Sequence, residues 1–278
     1  MIPIKDFSNA VEDQAGGAFD GRWLVWKEYH SLSTWDDFSV FAWDSEKNTL
    51  DQIGASERRA DGSYWSSDWR NPDVNNGVAT WEQGSGPGGV GDIHVVQLAT
   101  GKDKVIRHGH PGGPFFTGPN RIVWPESPRP GALTVFRAAD ARTGAKVAPA
   151  PVLRALRGIS ALVTDGKAIA YPSAYFASLW WSPSLSGKPS QIASAGYGDN
   201  IDNSVQVAGR YILFGIAPHT YLADTVQRRY IEISAGGWGR LDTHDLVLLP
   251  ASPKKELHLV SDVLFVPLSS LPPVPPCK

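Results

Sequence analysis

Six times along this chain a turn leads into a β-rich run that closes on a large apolar residue. The first copy is Asp20-Gly21-Arg22-Trp23-Leu24-Val25-Trp26. Asp-Gly supplies the positive φ of a tight turn, and the bulky run behind it suits a pleated surface. The later copies are Asn76-Gly77-Val78-Ala79-Thr80-Trp81, Asn120-Arg121-Ile122-Val123-Trp124, Asp165-Gly166-Lys167-Ala168-Ile169-Ala170-Tyr171 and Ala208-Gly209-Arg210-Tyr211-Ile212-Leu213-Phe214. A degenerate sixth is Thr243-His244-Asp245-Leu246-Val247-Leu248-Leu249. The closing residues stand at 26, 81, 124, 171, 214 and 249, in steps of 55, 43, 47, 43 and 35. A period of about 40–50 residues built from short strands is the spacing of propeller blades. One such unit cannot bury both its faces, but several stacked around an axis can.

A second element sits behind each turn unit. It is a strand that runs into a hairpin, as in Ile93-His94-Val95-Val96-Gln97 before Thr100-Gly101-Lys102, or Leu179-Trp180-Trp181-Ser182 before Ser186-Gly187-Lys188. A short outer strand follows, such as Lys104-Val105-Ile106. This combination, from about Phe19 to Leu268, resembles the TolB-like family of six-bladed β-propellers. The resemblance implies an all-β chain of six four-stranded antiparallel blades, with seven blades as the alternative count. It is specific for architecture and silent on chemistry, because the repeat residues are framework. The expected organisation is one propeller domain over residues 1–270 and a Pro-rich tail over 271–278. Within residues 1–18, Ile2-Pro3-Ile4-Lys5-Asp6-Phe7 reads as a short strand expected to join the last blade, near Val263-Leu264-Phe265-Val266. The one helix-like run, Pro151 to Arg157, is too short to count on.

Charge narrows the partners. A net charge of −2 and a pI near 6.4 argue against nucleic acid, which needs a concentrated basic face. The lone cysteine, Cys277, allows no internal disulfide and no CxxC motif. No apolar run is long enough to span a membrane and no signal peptide follows Met1. Cysteine usage leaves the compartment open. Eleven tryptophans and the propeller pattern favour a secreted or periplasmic setting over the cytoplasm. A monomer is expected.

Propeller topology decides which loops meet. The connection from one blade's outer strand to the next blade's inner strand shares a face with the loop between the second and third strands. The first set places Trp65, Asp68, Trp69, Arg70, Asp73, His108, His110, Phe116, Tyr197, Asp199, Asp202 and Trp238 on one face, as the candidate ligand-binding residues. The second adds His30, Trp35, Asp36, Glu82, Glu126, Tyr175, His219, Tyr221 and Asp224. Loops held by a rigid scaffold carry function. Aromatic rings beside carboxylates suit a small polar molecule, a glycan or a protein loop.

His108-Gly109-His110 is the sharpest constellation. Two imidazoles two residues apart on an extended segment point to one side. With Asp73, Asp199 or Asp202 they could hold a divalent metal, or one could act as general base. Candidate metal ligands are His108, His110, Asp199 and Asp202; candidate catalytic residues are His108, His110 and Asp73. No cofactor is assured. Asp199-Asn200-Ile201-Asp202-Asn203 lacks the spacing of an EF-hand and reads as a turn capped by Asx side chains. Trp26, Trp81 and Trp124 read as wedges between blades, Glu28 and Glu126 as structural acceptors, and His94 as a packed or surface histidine. No nucleophile elbow, phosphate loop, dinucleotide fingerprint or zinc-peptidase motif is present. Two readings of function follow. One is a binding propeller working through the loop face. The other is a hydrolase or lyase using His108 or His110 with aspartates at the same face.

Overall fold

A computed structural model describes residues 13–14, 17–30, 36–67, 70–129, 132–159, 162–173, 176–196, 199–201, 205–216, 219–235, 238–241, 245–249 and 264–271. The chain divides into two compact units, Met1–Pro149 and Ala150–Lys278. Among the described residues, each holds three antiparallel sheets.

In the first unit, blade one has second, third and outer strands Trp23–Tyr29, Phe38–Asp44 and Thr49–Ala55. Its inner strand comes in two pieces, Asp13–Gln14 and Ala18–Phe19, both paired with the second strand. The expected pairing of Ile2-Pro3-Ile4-Lys5-Asp6-Phe7 with the last blade lies outside the described residues; Asp13–Gln14, further along the chain, pairs within blade one. Asp13 lies opposite Tyr29 and Gln14 opposite Glu28. The segment folds back on the strand that follows it, a short loop closure with a small entropic cost. Residues 1–12 lie outside the described residues, as do 272–278 of the tail.

Blade two is Asp73–Asn75, Val78–Gly86, Val90–Gln97 and Lys102–Gly109. Blade three is Phe115–Phe116, Arg121–Glu126, Val135–Asp140 and Lys146–Val147. In the second unit, blade four is Val163–Thr164, Ile169–Pro172, Ser178–Ser182 and Ser190–Ser194. Blade five is Gln206–Ala208, Tyr211–Ile216, His219–Asp224 and Arg229–Ala235. Blade six shows three strands among the described residues: Trp238–Leu241, Asp245–Leu249 and Leu264–Pro267. Among the described residues, helix is confined to Pro151–Ala155, which opens on a proline and buries Val152 and Leu153, and to a short 3-10 turn at Leu268–Ser270. Among the described residues, no helix is long and apolar enough to cross a membrane.

The repeat column supplies the wedges. Trp81 is buried and packs against Gly54 of blade one, where a Cβ would stand only 2.5 Å from Trp81 Cζ2. Trp124 of blade three clusters with Val78, Ile93 and Val95 of blade two. Trp26 differs. It is half-buried and stacks on Phe41 of its own blade, centroids 5.7 Å apart. His94 stacks on Trp81 at 5.1 Å and pairs with Asp103 at 2.9 Å, a packed histidine as expected.

Aspartates lock the repeats at the turns. Asp20 Oδ1 accepts the N–H groups of Arg22 and Trp23, and its Oδ2 accepts that of Gly77 in the next blade at 2.7 Å. Asp165 repeats the device, with Oδ1 on Lys167 and Ala168 and Oδ2 on Gly209 at 2.7 Å. Both receiving glycines have positive φ, +70° and +57°, which a β-carbon would strain.

At the far end of the third strands, Asp44, Asp140 and Asp224 each accept two N–H groups of the following turn. Asp224 therefore does not join the loop face. It closes its strand at the opposite end, because the strand His219–Asp224 starts earlier than the repeat pattern suggested. Arg22 pairs with Asp44 at 2.6 Å and Arg210 with Asp224 at 3.4 Å. The Arg22 guanidinium, bonded to it, holds the Asp44 carboxyl below the usual carboxylate range.

Candidate functional site

In the first unit, the connections from blade one to two and from blade two to three reach the same end of the sheets. Arg70 joins them. Its side chain lies across Gly113, where a Cβ would meet Arg70 Cδ at 2.5 Å, and Arg70 Nη1 donates to the Gly113 carbonyl at 3.4 Å. The first connection also lies down on blade two. A Cβ on Gly84 would stand 2.2 Å from the Ser66 carbonyl oxygen, and Ser67 Oγ donates to Glu82 Oε2 at 2.8 Å. Glu82 itself is buried on its strand, beneath that connection. Trp65 is half-buried beneath the Arg59 guanidinium, 4.1 Å above its ring. Asp61 caps its own turn by accepting from Ser63, which holds its carboxyl below the usual range. Asp68 and Trp69 lie outside the described residues.

His108 and His110 stand at this end of blade two. His108 is 68% exposed by side chain, and its Nδ1 lies 2.6 Å from Asp92 Oδ1 on the neighbouring strand. His110 Nδ1 lies 3.2 Å from the Gly89 carbonyl of the hairpin loop. Each imidazole is thus steered by one partner. Neither Nε2 has a partner among the described residues.

Asp73 has a different occupation. Its Oδ2 accepts the Phe116 N–H of the next inner strand at 2.7 Å and its Oδ1 the Val74 N–H at 2.9 Å. Burial pushes its carboxyl up to about 6, against the lowering effect of those two bonds. This is a latch between inner strands. Phe116 is likewise a core residue, 5% exposed and packed with Ile122 and Trp124.

A slot runs between blades two and three. It has a volume of about 440 Å³ and is lined by Arg107, Trp124, Glu126, Arg137, Ala138, Lys146, Val147, Ala148 and Pro149. Buried Glu126 accepts from Arg107 Nη2 at 2.5 Å and from Trp124 Nε1 at 3.1 Å. Glu126 is therefore the structural acceptor that its place after the repeat tryptophan suggested. Glu28 is buried too.

The second unit carries the remaining candidates. Asp199 is exposed, and its N–H closes a turn onto the Gly196 carbonyl at 3.1 Å. Tyr197 and Asp202 lie outside the described residues, as do Trp35 and Tyr175. Trp238 opens the first strand of blade six. Sequence reasoning missed the slot, because Arg107, Arg137 and Lys146 are single charges on three different strands and form no motif. Among the described residues, no group of three or more His, Cys, Asp or Glu could hold a metal.

No family model matches the chain, and no curated protein matches it. Solved structures do. The β-propeller domain of the Trilobed protease from Pyrococcus furiosus aligns at 10% identity and a TM-score of 0.53, over 86% of this chain and 89% of that one. A nidogen/laminin complex aligns at 12% identity and a TM-score of 0.50, over 80% and 79%. A prolyl endopeptidase aligns at 13% identity and a TM-score of 0.55, over 86% of this chain but 38% of that one. The chain spans well under half the length of that enzyme. The fold is a β-propeller.

Proposed function

We propose that this chain is a binding propeller. It holds a small polar molecule, a glycan or a protein loop on the loop end of its blades. The observation that carries this reading is the seat of Arg70 on Gly113, which joins two blade-to-blade connections into one surface. That surface presents Trp65 under Arg59 and the two steered imidazoles of His108 and His110. Rings with polar edges, fixed by neighbours, suit a ligand that offers both apolar faces and hydroxyl or amide groups. The solved propellers of this fold include both a partner complex and parts of peptidases, so the reading rests on the site.

The test is a thermal-shift screen of the whole chain against neutral oligosaccharides, uronic acids, nucleosides and short peptides. Specific binding to the folded state raises the melting temperature. At least one class is expected to raise it, and His110→Ala is expected to remove that rise. No response from any class would contradict the proposal.

One observation favours a second reading, a hydrolase or lyase. His108 with Asp92 forms a carboxylate-oriented imidazole, the arrangement of a general base. The partners of His108 and His110 also resemble those of metal-ligating histidines, which bond their second nitrogen to a carboxylate or carbonyl. Two imidazoles fall short of a full ligand set. Turnover of a screened compound that disappears in His108→Ala, with binding retained, would favour this reading.

A further inference from the structure

The outer strand of blade three is cut short. The outer strands of blades one, two, four and five run for 7, 8, 5 and 7 residues, but Lys146–Val147 has 2. The cause is in the sequence. Pro149 and Pro151 follow at once, and proline cannot donate to a ladder. The outer strand pairs only with Ala138 and Ala139 of the third strand. Val135, Phe136 and Arg137 have no strand beside them on that side.

The direction of their peptide groups follows from the ladder. Asp140 N–H donates outward to the Ala145 carbonyl at 2.9 Å. Peptide groups alternate along an antiparallel strand, so Ala138 and Phe136 also face outward. Pro125 confirms the phase. It stands opposite Phe136 on the inner side, where no N–H is needed. The Phe136 N–H and C=O therefore point to the side on which the outer strand has ended, next to Arg137 of the slot.

The slot is basic. Lys104 Nζ of blade two donates to the Thr143 carbonyl of blade three at 2.6 Å, tying the two blades together. Arg107 bridges to Glu126 within the slot, and the Arg107 Nε is buried without a hydrogen-bond partner. Arg137 and Lys146 are exposed on its wall, with no carboxylate partner among the described residues. Three cations against one carboxylate leave the slot positive in a protein whose net charge is −2. An unpaired strand edge is a template for another chain, and the surrounding charge sets which chain it accepts.

We propose that an extended acidic peptide docks in this slot. It adds as a strand along Val135–Arg137, pairs with the Phe136 peptide group, and sets its carboxylates against Arg137 and Lys146. This site is separate from the loop face and does not depend on the function proposed there.

The experiment uses the whole chain and fluorescence anisotropy. The probe is a labelled hexapeptide of alternating valine and glutamate. Controls are the same peptide N-methylated on every residue, which keeps its charge but leaves no N–H to pair on either edge, a valine–lysine hexapeptide, and free glutarate as competitor. The valine–glutamate peptide is expected to bind saturably and at least tenfold more tightly than either control peptide. Arg137→Glu combined with Lys146→Glu is expected to weaken it at least tenfold at an unchanged melting temperature, while His110→Ala leaves it unaffected. Absence of saturable binding overturns the proposal. So does equal binding of the N-methylated peptide, equal binding by the double variant, or displacement by glutarate at peptide-like concentrations.

Discussion

Asp73 and Gln206 stand at the same place in blades two and five, and each accepts a backbone N–H from the inner strand of the next blade. Asp73 takes that of Phe116 and Gln206 that of Leu241, both at 2.7 Å. Their registers match: Asp73 lies opposite Thr80 and Gln206 opposite Leu213, each two residues into its second strand's pairing. One blade uses an acid and the other a neutral amide for the same bond. The bond needs an acceptor, not a charge.

That equivalence fixes the first prediction. Burial pushes the folded Asp73 carboxyl up to about 6 from its ordinary 3.8, because it penalises the charged form. Folding therefore favours the protonated form. The stability this adds is full below about pH 4 and is lost as pH rises through 6. Asp73→Asn keeps one acceptor oxygen for the Phe116 N–H, gives up the one that takes the Val74 N–H, and removes the charge. It should raise stability on the order of 1–3 kcal/mol at pH 7.5 and change it little at pH 4. Urea melts of both proteins at the two pH values decide it. An Asn variant that is less stable at pH 7.5 would show that the charge is needed.

Trp124 should carry much of the packing between blades two and three. It is 3% exposed and touches blade two. Trp124→Ala should cost about 3–5 kcal/mol, as for other large buried aromatics. A denaturation midpoint equal to the parent's would remove Trp124 from the core.

Asp20 holds three N–H groups, one of them in the next blade. Asp20→Ala leaves them without this acceptor, and hydrogen bonds to a charged group contribute about 1.5–3 kcal/mol. Asp20→Ala should destabilise by about 2–3 kcal/mol, while Asp20→Asn, which keeps an acceptor, should lose less. Equal losses in the two variants, read from chemical denaturation, would contradict the latch.

The propeller was legible because its signal repeats. A turn residue, a β-run and a closing aromatic recur at a steady period, and chance does not sustain that over five copies. Inner strands such as Phe115–Phe116 and Val163–Thr164 were not legible, since two residues carry no periodicity. Asp224 was misplaced for a related reason. The sequence around His219–Asp224 has no glycine turn to mark where the loop ends and the strand begins. Asp73 looked like a site carboxylate because an aspartate beside a loop carries no sign that a backbone N–H 43 residues away will claim it. His108 and Asp92 meet across two strands, and only the register reveals that pair.

The account turns on which end of the blades does the binding. The most direct measurement pairs melting temperature with affinity, using the compound that responds most strongly in the screen. His110→Ala changes the loop end, and Lys102→Ala changes an exposed residue at the opposite hairpin of the same blade. The account predicts unchanged melting for both, with affinity reduced at least tenfold by His110→Ala and kept by Lys102→Ala. Loss of affinity in Lys102→Ala with full affinity in His110→Ala would place binding on the other end and contradict it.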